Sequence, residues 1–546
     1  MNLFDAIFNQ ESLDKVAILF EQQRISYSQL REQTLGMMLA LQFLKIEQQD
    51  RVALLLNDSP EFVALFIAIV SHGAIAVPIN MGLRPDEQRA ILNDSTARIA
   101  IVEAALADTL LLDEKLPSLQ DVIVVGRDKE NDSTTETQRT QRKHREGSQA
   151  ISSKELWSLD ELLTESASQA LPEFTSSAAD QPAFIFYTSG STGEPKGAVH
   201  RQADIFYTNE TYCREVLKLR AGDRVFSSSR LPFSYGFGNA FSFPLLNGCT
   251  TILCREKPNA EVISRVFAEY KPTVFFGVPV IYRLLLDHHR NIAPLDCSGL
   301  RLCISAGEAL PARLGEEIEK TFGVEVLDGI GSTEMFHMWM SNHEGEVRYG
   351  SSGKLLHGYQ ARLLDPEGNL SPEGAEGNLW VQGASAALGY WNKPEVTAVI
   401  FVDGWVRTGD LYCQDADGYW FHMGRSDDCF KSSGQWVSPV EVEGVLLKHD
   451  GVNRVAVVED FDSNGLPCPC AFVIKANSDD DDAELEQQLN KLAREKLPRF
   501  KQPRRYMFVD ELPYTATGKI QRFKLRERLK ESRMSNVQCP MSATRT

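Results

Sequence analysis

A glycine- and hydroxyl-rich segment directly after a short apolar run is the feature that most restricts how this chain can fold. Residues 187–198 read Tyr-Thr-Ser-Gly-Ser-Thr-Gly-Glu-Pro-Lys-Gly-Ala, and residues 184–186 before them are typical of a buried strand. Glycine lets backbone N–H groups turn toward an anion, while the hydroxyl groups and Lys196 add donors. The segment therefore predicts a strand followed by a phosphate-binding loop. It is not the P-loop of kinases and GTPases, because Lys196 precedes Gly197 rather than Ser or Thr.

Length and charge limit the classes of protein to which the chain can belong. Its 546 residues, of which 43% are hydrophobic, are too many for one core and predict a soluble protein of two or more domains. A formal net charge of -18 argues against nucleic acid as a partner, because phosphate backbones favour a basic surface. The longest apolar stretch, residues 62–79, is interrupted by His72, Gly73 and Pro78. It therefore predicts a buried helix and strand, and no membrane segment.

The cysteines and the first residues indicate the compartment. The ten cysteines are scattered, without a Cys-x-x-Cys pair or a His/Cys cluster of zinc spacing. The chain begins Met-Asn-Leu-Phe-Asp, which lacks the basic region of a secretion signal. Reduced thiols and a cytoplasmic location are expected.

Short Val- and Ile-rich runs alternate with longer helical stretches through most of the chain. Residues 51–56 and 97–102 are two such runs. The alternation predicts an α/β fold with a large N-terminal domain of layered, mostly parallel sheets and helices, residues 1–425. A small α+β C-terminal lid domain is expected at residues 426–532. Residues 533–546 have the composition of a flexible tail.

One segment inside the large domain has a very different composition. Residues 127–149 contain no aliphatic or aromatic side chain. Such a segment cannot bury enough apolar surface to offset the entropy lost on ordering, so a disordered hydrophilic insertion is predicted. A solvated loop is the favoured interpretation, and a regulatory or partner-binding role is the alternative.

Four further motifs follow the glycine-rich segment in a fixed order. They are Asp-Gly-Ile-Gly-Ser-Thr-Glu at 328–334, Trp-Val-Arg-Thr-Gly-Asp at 405–410, Gly-Arg-Ser-Asp-Asp at 424–428 and Thr-Ala-Thr-Gly-Lys-Ile-Gln-Arg at 515–522. With residues 187–198, they resemble the signature sequences of the acyl-adenylate-forming superfamily, which includes acyl-CoA synthetases, adenylation domains and luciferases. The resemblance covers nearly the whole chain. It implies a reaction in which ATP activates a carboxylic acid as acyl-AMP and a thiol then displaces AMP.

The resemblance also implies a nucleotide site. ATP and Mg²⁺ are the expected cofactors, with CoA as the thiol acceptor. The residues expected to bind the nucleotide are Thr188, Ser189, Gly190, Ser191, Thr192, Gly193 and Lys196 around the phosphates, Asp328, Gly329 and Ile330 in the second motif, with Ile330 against the adenine, Asp410 at the ribose, and Arg425 at the ribose or a phosphate. Ile330 departs from the family pattern, because many relatives have an aromatic residue there and stack it on the adenine.

The catalytic roles follow from the same resemblance. Lys519 is expected to contact the α-phosphate and the substrate carboxylate during adenylation. Thr333 lies in the segment that contacts the α-phosphate, and Glu334 supports the metal ion. The C-terminal domain of relatives rotates between the two half-reactions about a residue that matches Asp427. The loop that then faces the thiol matches Ser433, Gly434, Gln435 and Trp436.

Within the superfamily, residues 232–239, 243–244, 328–337 and 347–354 resemble the benzoate–CoA ligase group. A flat ring needs a slot with aromatic walls and small residues along it. The residues expected to form this slot are Ser234, Tyr235, Phe243, Ala306, Gly331, His337 and Met338. Amino-acid adenylation domains generally have an aspartate where Ser234 stands, so an α-amino acid is disfavoured. Benzoate ligases tend to have alanine there, and the Ser234 hydroxyl suits benzoate or a hydroxybenzoate.

Three functions remain to be compared. An ATP-dependent aryl–CoA ligase is the leading interpretation, with a small aromatic acid, ATP and CoA as its partners. A stand-alone aryl-AMP ligase that loads the phosphopantetheine thiol of a carrier protein is the alternative, although this chain contains no carrier domain. A non-catalytic nucleotide-binding protein is disfavoured, because Lys519, Glu334 and Asp410 are all present. A homodimer is compatible with the sequence.

Overall fold

The fold is described from a computed structural model. The described residues are 2–9, 12–111, 115–126, 154–170, 180–189, 195–432, 435–462, 465–514 and 520–537. The predicted insertion at 127–149 lies outside these residues. The predicted tail lies partly outside them, and the helix Arg522–Val537 extends into the segment where the tail was expected to begin.

A mostly parallel sheet occupies the first part of the chain. Within the described residues it has seven strands, in the spatial order Glu155–Ser158, Asp121–Val125, Ile99–Glu103, Arg51–Leu55, Ile75–Pro78, Phe184–Ser189 and Pro195–His200. All neighbouring pairs are parallel except the last, which is an antiparallel hairpin. Its central strands are buried Val, Ile, Leu and Ala runs, as expected for strands covered on both faces.

A second sheet is parallel at its centre and antiparallel at both edges. Its nine strands, counted in the described part of the chain, run in the order Lys354–Leu355, Met338–Ser341, Val326–Gly331, Leu302–Ser305, Val274–Gly277, Arg224–Ser227, Thr250–Leu253, Val16–Phe20 and Gln23–Ser26. The two sheets share one hydrophobic cluster. The helix Pro60–His72 belongs to it, together with Val52 of the first sheet and Ile18 of the second.

The helix Pro60–His72 and the strand Ile75–Pro78 confirm the prediction made for residues 62–79. Ser59 caps the helix by accepting a hydrogen bond from the Phe62 N–H group at 3.3 Å, and Pro60 fits the first turn because its missing N–H group would have no partner there. The helix ends at Gly73, whose φ of 89° is accessible to glycine. No helix of the described residues is both long and apolar enough to cross a membrane.

Two smaller sheets and a hairpin complete the described strands. An antiparallel sheet contains Gln360–Leu364, Gly377–Gln382, Trp405–Gln414, Phe401–Val402 and Trp420–Arg425. After it come the hairpin Phe430–Ser432 and Gln435–Val437 and the sheet Val452–Phe461, Pro467–Lys475 and Arg505–Phe508. The antiparallel sheet before residue 425 was not predicted, since its strands alternate only weakly. The α/β class, with a large mostly parallel part and a small α+β part, is confirmed.

Helices cover the faces of these sheets. The described α-helices are Leu3–Phe8, Tyr27–Phe43, Pro60–His72, Pro85–Asp94, Ala104–Leu111, Leu159–Ser166, Gln202–Thr208, Ser234–Phe237, Phe243–Leu246, Ala260–Tyr270, Pro279–Asn291, Ala312–Phe322, Pro394–Ile400, Pro439–Leu446, Asp482–Lys496 and Arg522–Val537. Short 3₁₀ helices occur at Thr333–Met335 and Arg499–Lys501, and π-helical segments at Asn209–Leu217 and Gly238–Ser242.

Asp223 joins three segments at the amino-terminal end of the nine-stranded sheet. Its Oδ1 accepts hydrogen bonds from Thr273 Oγ1 at 2.7 Å and from Arg301 Nε at 2.9 Å, and its Oδ2 accepts one from Arg301 Nη2 at 2.8 Å. Burial alone would raise the pKa of Asp223, but the hydrogen bonds from Arg301, the Arg220 backbone and Thr273 outweigh it and leave the pKa below its ordinary value.

We predict that Asp223→Asn lowers the free energy of unfolding by on the order of 2 kcal/mol at pH 7, because a charged hydrogen-bond acceptor is lost. The pKa of Asp223 is lowered on folding, so its contribution is complete above the ordinary carboxyl pKa. It is lost as pH falls through the folded-state value. Urea unfolding at pH 7 and below pH 4 measures both effects. Asp417→Asn, in an exposed pair with Arg348, is the matched control. A difference that stayed constant with pH would contradict the prediction.

Candidate active site

The described residues of the glycine-rich segment belong to two antiparallel strands at the edge of the seven-stranded sheet. The strand Phe184–Ser189 pairs with Pro195–His200, and Thr188 lies opposite Lys196. Gly190, Ser191, Thr192 and Gly193 lie outside the described residues. The Lys196 Nζ atom lies 5.8 Å from the centre of the Tyr390 ring. The hairpin therefore places Lys196 next to a second loop, on which Tyr390 lies.

Thr333 and Glu334 begin a short 3₁₀ turn after the strand Val326–Gly331. The turn, Thr333–Met335, is capped by Ser332, whose side chain accepts a hydrogen bond from the Met335 N–H group. The Tyr390 hydroxyl donates to Glu334 Oε1 at 2.7 Å. Lys196, Tyr390 and Glu334 therefore form one group, although they lie far apart in the sequence.

The carboxylate of Glu334 suits a magnesium ion that is held mainly by a nucleotide. Among the described residues, no group of three or more His, Cys, Asp or Glu side chains could hold a metal ion by itself. Mg²⁺ in phosphate-transferring sites is usually bound by one or two carboxylates together with substrate phosphates and water. Glu334, which shares Tyr390 as a neighbour with Lys196, fits this pattern, so the residues present fit an ATP-bound magnesium ion.

The predicted nucleotide-binding residues on the strand before Glu334 differ in their exposure to solvent. The carboxyl group of Asp328 is buried, with 2% exposure, and its Oδ2 accepts a hydrogen bond from the Leu310 N–H group at 3.3 Å. Burial raises the pKa of Asp328 to about 8. Gly331 is exposed and Ile330 is half-buried on the same strand. The Ile330–Gly331 end of this strand is therefore more accessible than the Asp328 carboxyl group.

Gly329 and Gly331 allow this strand to approach its neighbour closely. A Cβ atom at Gly331 would lie 2.5 Å from the His337 carbonyl oxygen, and one at Gly329 would lie 2.5 Å from that of Met340. Any larger residue would push the two segments apart. This close approach keeps the exposed end of the strand next to His337.

The predicted ribose residues face each other on paired strands. Asp410 lies opposite Arg425 in the register, and Arg425 Nη1 donates to Asp410 Oδ1 at 3.1 Å. His422 Nε2 lies 3.6 Å from the same oxygen. The structure therefore brings Asp410 and Arg425 together as the sequence predicts, and adds His422.

His337 is at the centre of the predicted aromatic slot. Its ring lies 4.7 Å from the centre of the Phe243 ring, 5.6 Å from Tyr235 and 5.3 Å from Tyr212. Burial lowers the pKa of His337 to about 3, so the imidazole is neutral. Its Nε2 lies 3.2 Å from Asn239 Oδ1. A neutral environment walled by aromatic rings suits an apolar aromatic group better than a charged one.

Small residues pack closely against this histidine. A Cβ atom at Gly238 would lie 2.4 Å from the His337 ring, so only glycine fits there. Ala306 and Met338 are buried in the same hydrophobic cluster as Phe243. Ser234 begins the helix Ser234–Phe237 and is largely buried. The predicted slot residues are thus contributed by several elements around one centre.

Asp58, which the sequence motifs did not predict as a site residue, anchors the segment just before Ser234. Asp58 Oδ1 accepts a hydrogen bond from the Leu231 N–H group at 3.0 Å, and Arg230 lies 3.6 Å from Asp58 Oδ2. Burial raises the pKa of Asp58 to about 6, against the opposing effect of Arg230. Asp58 follows the carboxyl end of the strand Arg51–Leu55, where functional groups of parallel sheets commonly lie. This position in the sequence could have indicated that Asp58 belongs to the site.

The described C-terminal residues form a charged network around the predicted hinge. Arg522 donates to both oxygens of Glu443 at 2.8 Å, and its guanidinium lies 3.6 Å from Asp428, the neighbour of Asp427. Lys519, Ser433 and Gly434 lie outside the described residues. Gln435 and Trp436 begin the strand Gln435–Val437. Arg522 therefore links the chain just after Lys519 to the segment that contains the predicted hinge.

Comparisons with known families agree with the motifs. The AMP-binding enzyme family matches residues 4–391, and the AMP-binding enzyme C-terminal domain matches residues 441–519. Benzoate–CoA ligase of Thauera aromatica is 38% identical over 490 residues, which are 88% of this chain and 86% of the relative. The 4-hydroxybenzoate–CoA/benzoate–CoA ligase of Rhodopseudomonas palustris is 36% identical over 524 residues, 94% of this chain and 90% of that protein.

Solved structures show the same fold over the whole length. The anthranilate CoA ligase AuaEII in complex with anthranoyl-AMP has a TM-score of 0.87 at 35% identity, covering 98% of both chains. A benzoate CoA ligase from Burkholderia xenovorans LB400 has a TM-score of 0.83 at 35% identity, covering 96% of this chain and 100% of that one. The family and enzyme class predicted from the five motifs are confirmed: the chain belongs to the AMP-binding enzyme family of benzoate–CoA ligase-like, AMP-forming acid–thiol ligases.

Proposed function

We propose that this protein uses ATP to activate an aromatic acid of the benzoate or hydroxybenzoate type and transfers the acyl group to CoA. The products are the aryl–CoA thioester, AMP and pyrophosphate. One observation carries the proposal: Glu334, which fits a nucleotide-bound metal ion, stands three residues from His337, which centres a neutral aromatic slot. A carboxylate on a ring held beside His337 would therefore lie near the phosphates.

In the first step, a carboxylate oxygen of the acid attacks the α-phosphorus of ATP, and pyrophosphate leaves. Mg²⁺ neutralises charge on the phosphates, and we assign Glu334 to that ion. Thr333 and Lys196 add a hydroxyl and a positive charge, with Thr188, Ser189 and the loop 190–193 around the outer phosphates. Asp410 and Arg425 are assigned to the ribose. Together these groups stabilise the charge that develops at the α-phosphate.

In the second step, the CoA thiolate attacks the carbonyl carbon of acyl-AMP, and AMP leaves. We assign Lys519 to the first step and the loop containing Ser433, Gly434, Gln435 and Trp436 to the second. Residues 426–532 would rotate about Asp427 between them. The Arg522 network supports this assignment, because it joins the chain after Lys519 to Asp428 and to the helix Pro439–Leu446.

The preference for an aromatic acid follows from the slot. Tyr235, Phe243 and the neutral His337 surround it, and Ser234 brings no charge to pair with a substrate ammonium group. A hydroxyl substituent on the ring would find polar neighbours in Ser234 and His337. A linear fatty acid would leave the aromatic walls without a matching surface.

A carrier-protein thiol is the second candidate acceptor. A relative named as an AMP ligase rather than a CoA ligase leaves this acceptor to be tested: the p-hydroxybenzoic acid–AMP ligase FadD22 of Mycobacterium marinum is 33% identical over 478 residues, 87% of this chain and 62% of that protein. We favour CoA because the CoA ligases match over more of their own length. We further propose a cytoplasmic location, where ATP and CoA are available, and a homodimer as the assembly to be tested by light scattering.

The function is tested by a panel of acids. Benzoate, hydroxybenzoates, an α-amino acid and a linear fatty acid are each supplied with ATP and Mg²⁺, and pyrophosphate release is followed with CoA, with a pantetheinylated carrier protein and with neither. We expect turnover with CoA and an aryl acid. Preference for the fatty acid would contradict the aromatic slot, and turnover only with carrier protein would replace CoA as the acceptor.

Lys519→Ala tests the assignment of the catalytic lysine. We expect acyl-AMP formation to fall by at least about 100-fold, because a positive charge at the transferring phosphate is removed. Thioester formation from supplied acyl-AMP should be largely retained, since that step does not pass through the α-phosphate transition state. Single-turnover measurement of the two half-reactions gives the result. Equal loss in both would refute the role of Lys519.

Tyr390→Phe tests whether the orientation of Glu334 matters. Removing the hydroxyl that donates to Glu334 Oε1 leaves this carboxylate free to turn away from the metal ion. We predict a fall of about tenfold in kcat for acyl-AMP formation and a higher requirement for Mg²⁺. Tyr27→Phe removes another buried hydroxyl, one that donates to the Cys249 carbonyl group, and is the matched control. Equal effects of the two substitutions would show that Tyr390 acts on stability alone.

A further inference from the structure

A buried histidine–aspartate pair lies beneath the turn that carries Glu334. His200 is fully buried at the end of the strand Pro195–His200, and Asp204 follows on the helix Gln202–Thr208. His200 Nδ1 lies 2.8 Å from Asp204 Oδ2, and His200 Nε2 lies 2.7 Å from the Thr333 carbonyl oxygen. A carbonyl oxygen can only accept a hydrogen bond. His200 Nε2 therefore carries a proton and donates a hydrogen bond to the Thr333 carbonyl oxygen. Asp204 holds the ring in this orientation.

The turn above this pair has a strained backbone. Phe336 has φ of 66° and ψ of -48°, and the His337 N–H group donates to the Met335 carbonyl at 2.8 Å across it. This is a γ-turn with positive φ, a rare and strained conformation for a residue other than glycine. Strain of this kind persists only where surrounding contacts hold it. The γ-turn at Phe336 connects Glu334 on one side with His337 on the other.

Contacts from His200 hold the strained turn at two points. The Thr333 carbonyl that accepts from His200 also accepts from the Phe336 N–H group at 3.1 Å, which closes the 3₁₀ turn. The His200 ring also packs against the Phe336 ring, with 5.4 Å between the ring centres, and stacks on Phe184 at 5.4 Å. His200 therefore contacts both the start and the strained residue of the turn.

Asp204 reaches Glu334 by a second route through Arg201. Arg201 Nε donates to Asp204 Oδ1 at 3.0 Å, and its Nη2 donates to the carbonyl oxygens of Ala384 at 2.8 Å and Ala386 at 3.1 Å. The next residue along that loop, Ala387, donates its N–H group to the Glu334 carbonyl at 2.8 Å. One carboxylate thus supports both segments that flank Glu334.

From this geometry we infer that His200 and Asp204 are positioning residues for acyl-AMP formation. They hold the Thr333–His337 turn so that the metal-side carboxylate and the aromatic slot keep their relative places. Neither residue contacts the reacting atoms, and the inference rests on the proposed function. Displacing a positioned group by about 1 Å can cost on the order of 100-fold in rate, so loss of the Thr333 contact should be visible in kinetics.

Two substitutions of His200 separate positioning from simple stabilisation. In His200→Gln the side-chain amide occupies the place of Nε2, so it can still donate to Thr333 while the Asp204 contact is lost. In His200→Asn the amide occupies the place of Nδ1, so the Asp204 contact is kept and the Thr333 contact is lost. We expect His200→Asn to lower kcat for acyl-AMP formation by roughly 10- to 100-fold, and His200→Gln to retain most of the wild-type kcat. Thioester formation from supplied acyl-AMP should change by less than about threefold in both.

Two further variants complete the experiment. His288→Asn removes another buried histidine, on the helix Pro279–Asn291, and should leave the ratio of the half-reactions unchanged. Arg201→Met, at a partly exposed position, removes the second route and should lower acyl-AMP formation selectively by about tenfold even if the His200 variants fail to fold. Equal loss of both half-reactions, or greater activity with Asn than with Gln, would overturn the inference. A wild-type protein that released no pyrophosphate would instead overturn the proposed function.

Discussion

The short connection from Glu334 to His337 is the constraint on which the site depends. A 3₁₀ turn followed by a strained γ-turn at Phe336 reverses the chain between the exposed end of the strand Val326–Gly331 and the strand Met338–Ser341. Because only two residues separate them, a metal-side carboxylate and the centre of an aromatic slot cannot move independently. Activation of a carboxylate requires this closeness, since the acid must meet the α-phosphate while its ring stays bound.

The surroundings of this connection combine two different environments. On one side the Tyr390 hydroxyl and the ammonium group of Lys196 make a polar region suited to phosphates and a cation. On the other, Tyr212, Phe243 and a neutral His337 make a region with little tolerance for charge. The net charge of -18 is unfavourable for anionic substrates over the whole molecule. Hydrogen-bond donors and the positive charge of Lys196 near the hairpin must therefore overcome the negative electrostatic field of the whole protein.

The sequence predicted site residues within continuous motifs, and the structure brings several of them together. Asp410 and Arg425 pair across two adjacent antiparallel strands, and Tyr235, Phe243 and His337 share one centre. It did not predict the partners that hold these residues. Tyr390 is 56 positions from Glu334, and His200 is 133 positions from Thr333. Contacts over such separations depend on the folded sheet order, which local pattern does not encode.

Sequence patterns could not predict two other features, because both depend on tertiary contacts. The positive φ of Phe336 is unexpected for a bulky residue and exists only because tertiary contacts hold it. The predicted nucleotide role of Asp328 rested on its place in a motif, whereas the carboxyl group is enclosed beneath the strand. Burial of that kind is decided by packing from neighbouring elements. The resemblance to a family therefore predicted the site residues, while the structure shows which of them are buried and which are exposed.

The central claim is that a carboxylate oxygen attacks the α-phosphorus of ATP. It is tested most directly by incubating benzoate labelled with ¹⁸O in its carboxylate group with ATP, Mg²⁺, CoA and the protein, and by measuring the label in the products by mass spectrometry. The account predicts one ¹⁸O atom in each AMP formed and none in pyrophosphate. Unlabelled AMP, or label in inorganic phosphate or pyrophosphate, would contradict it.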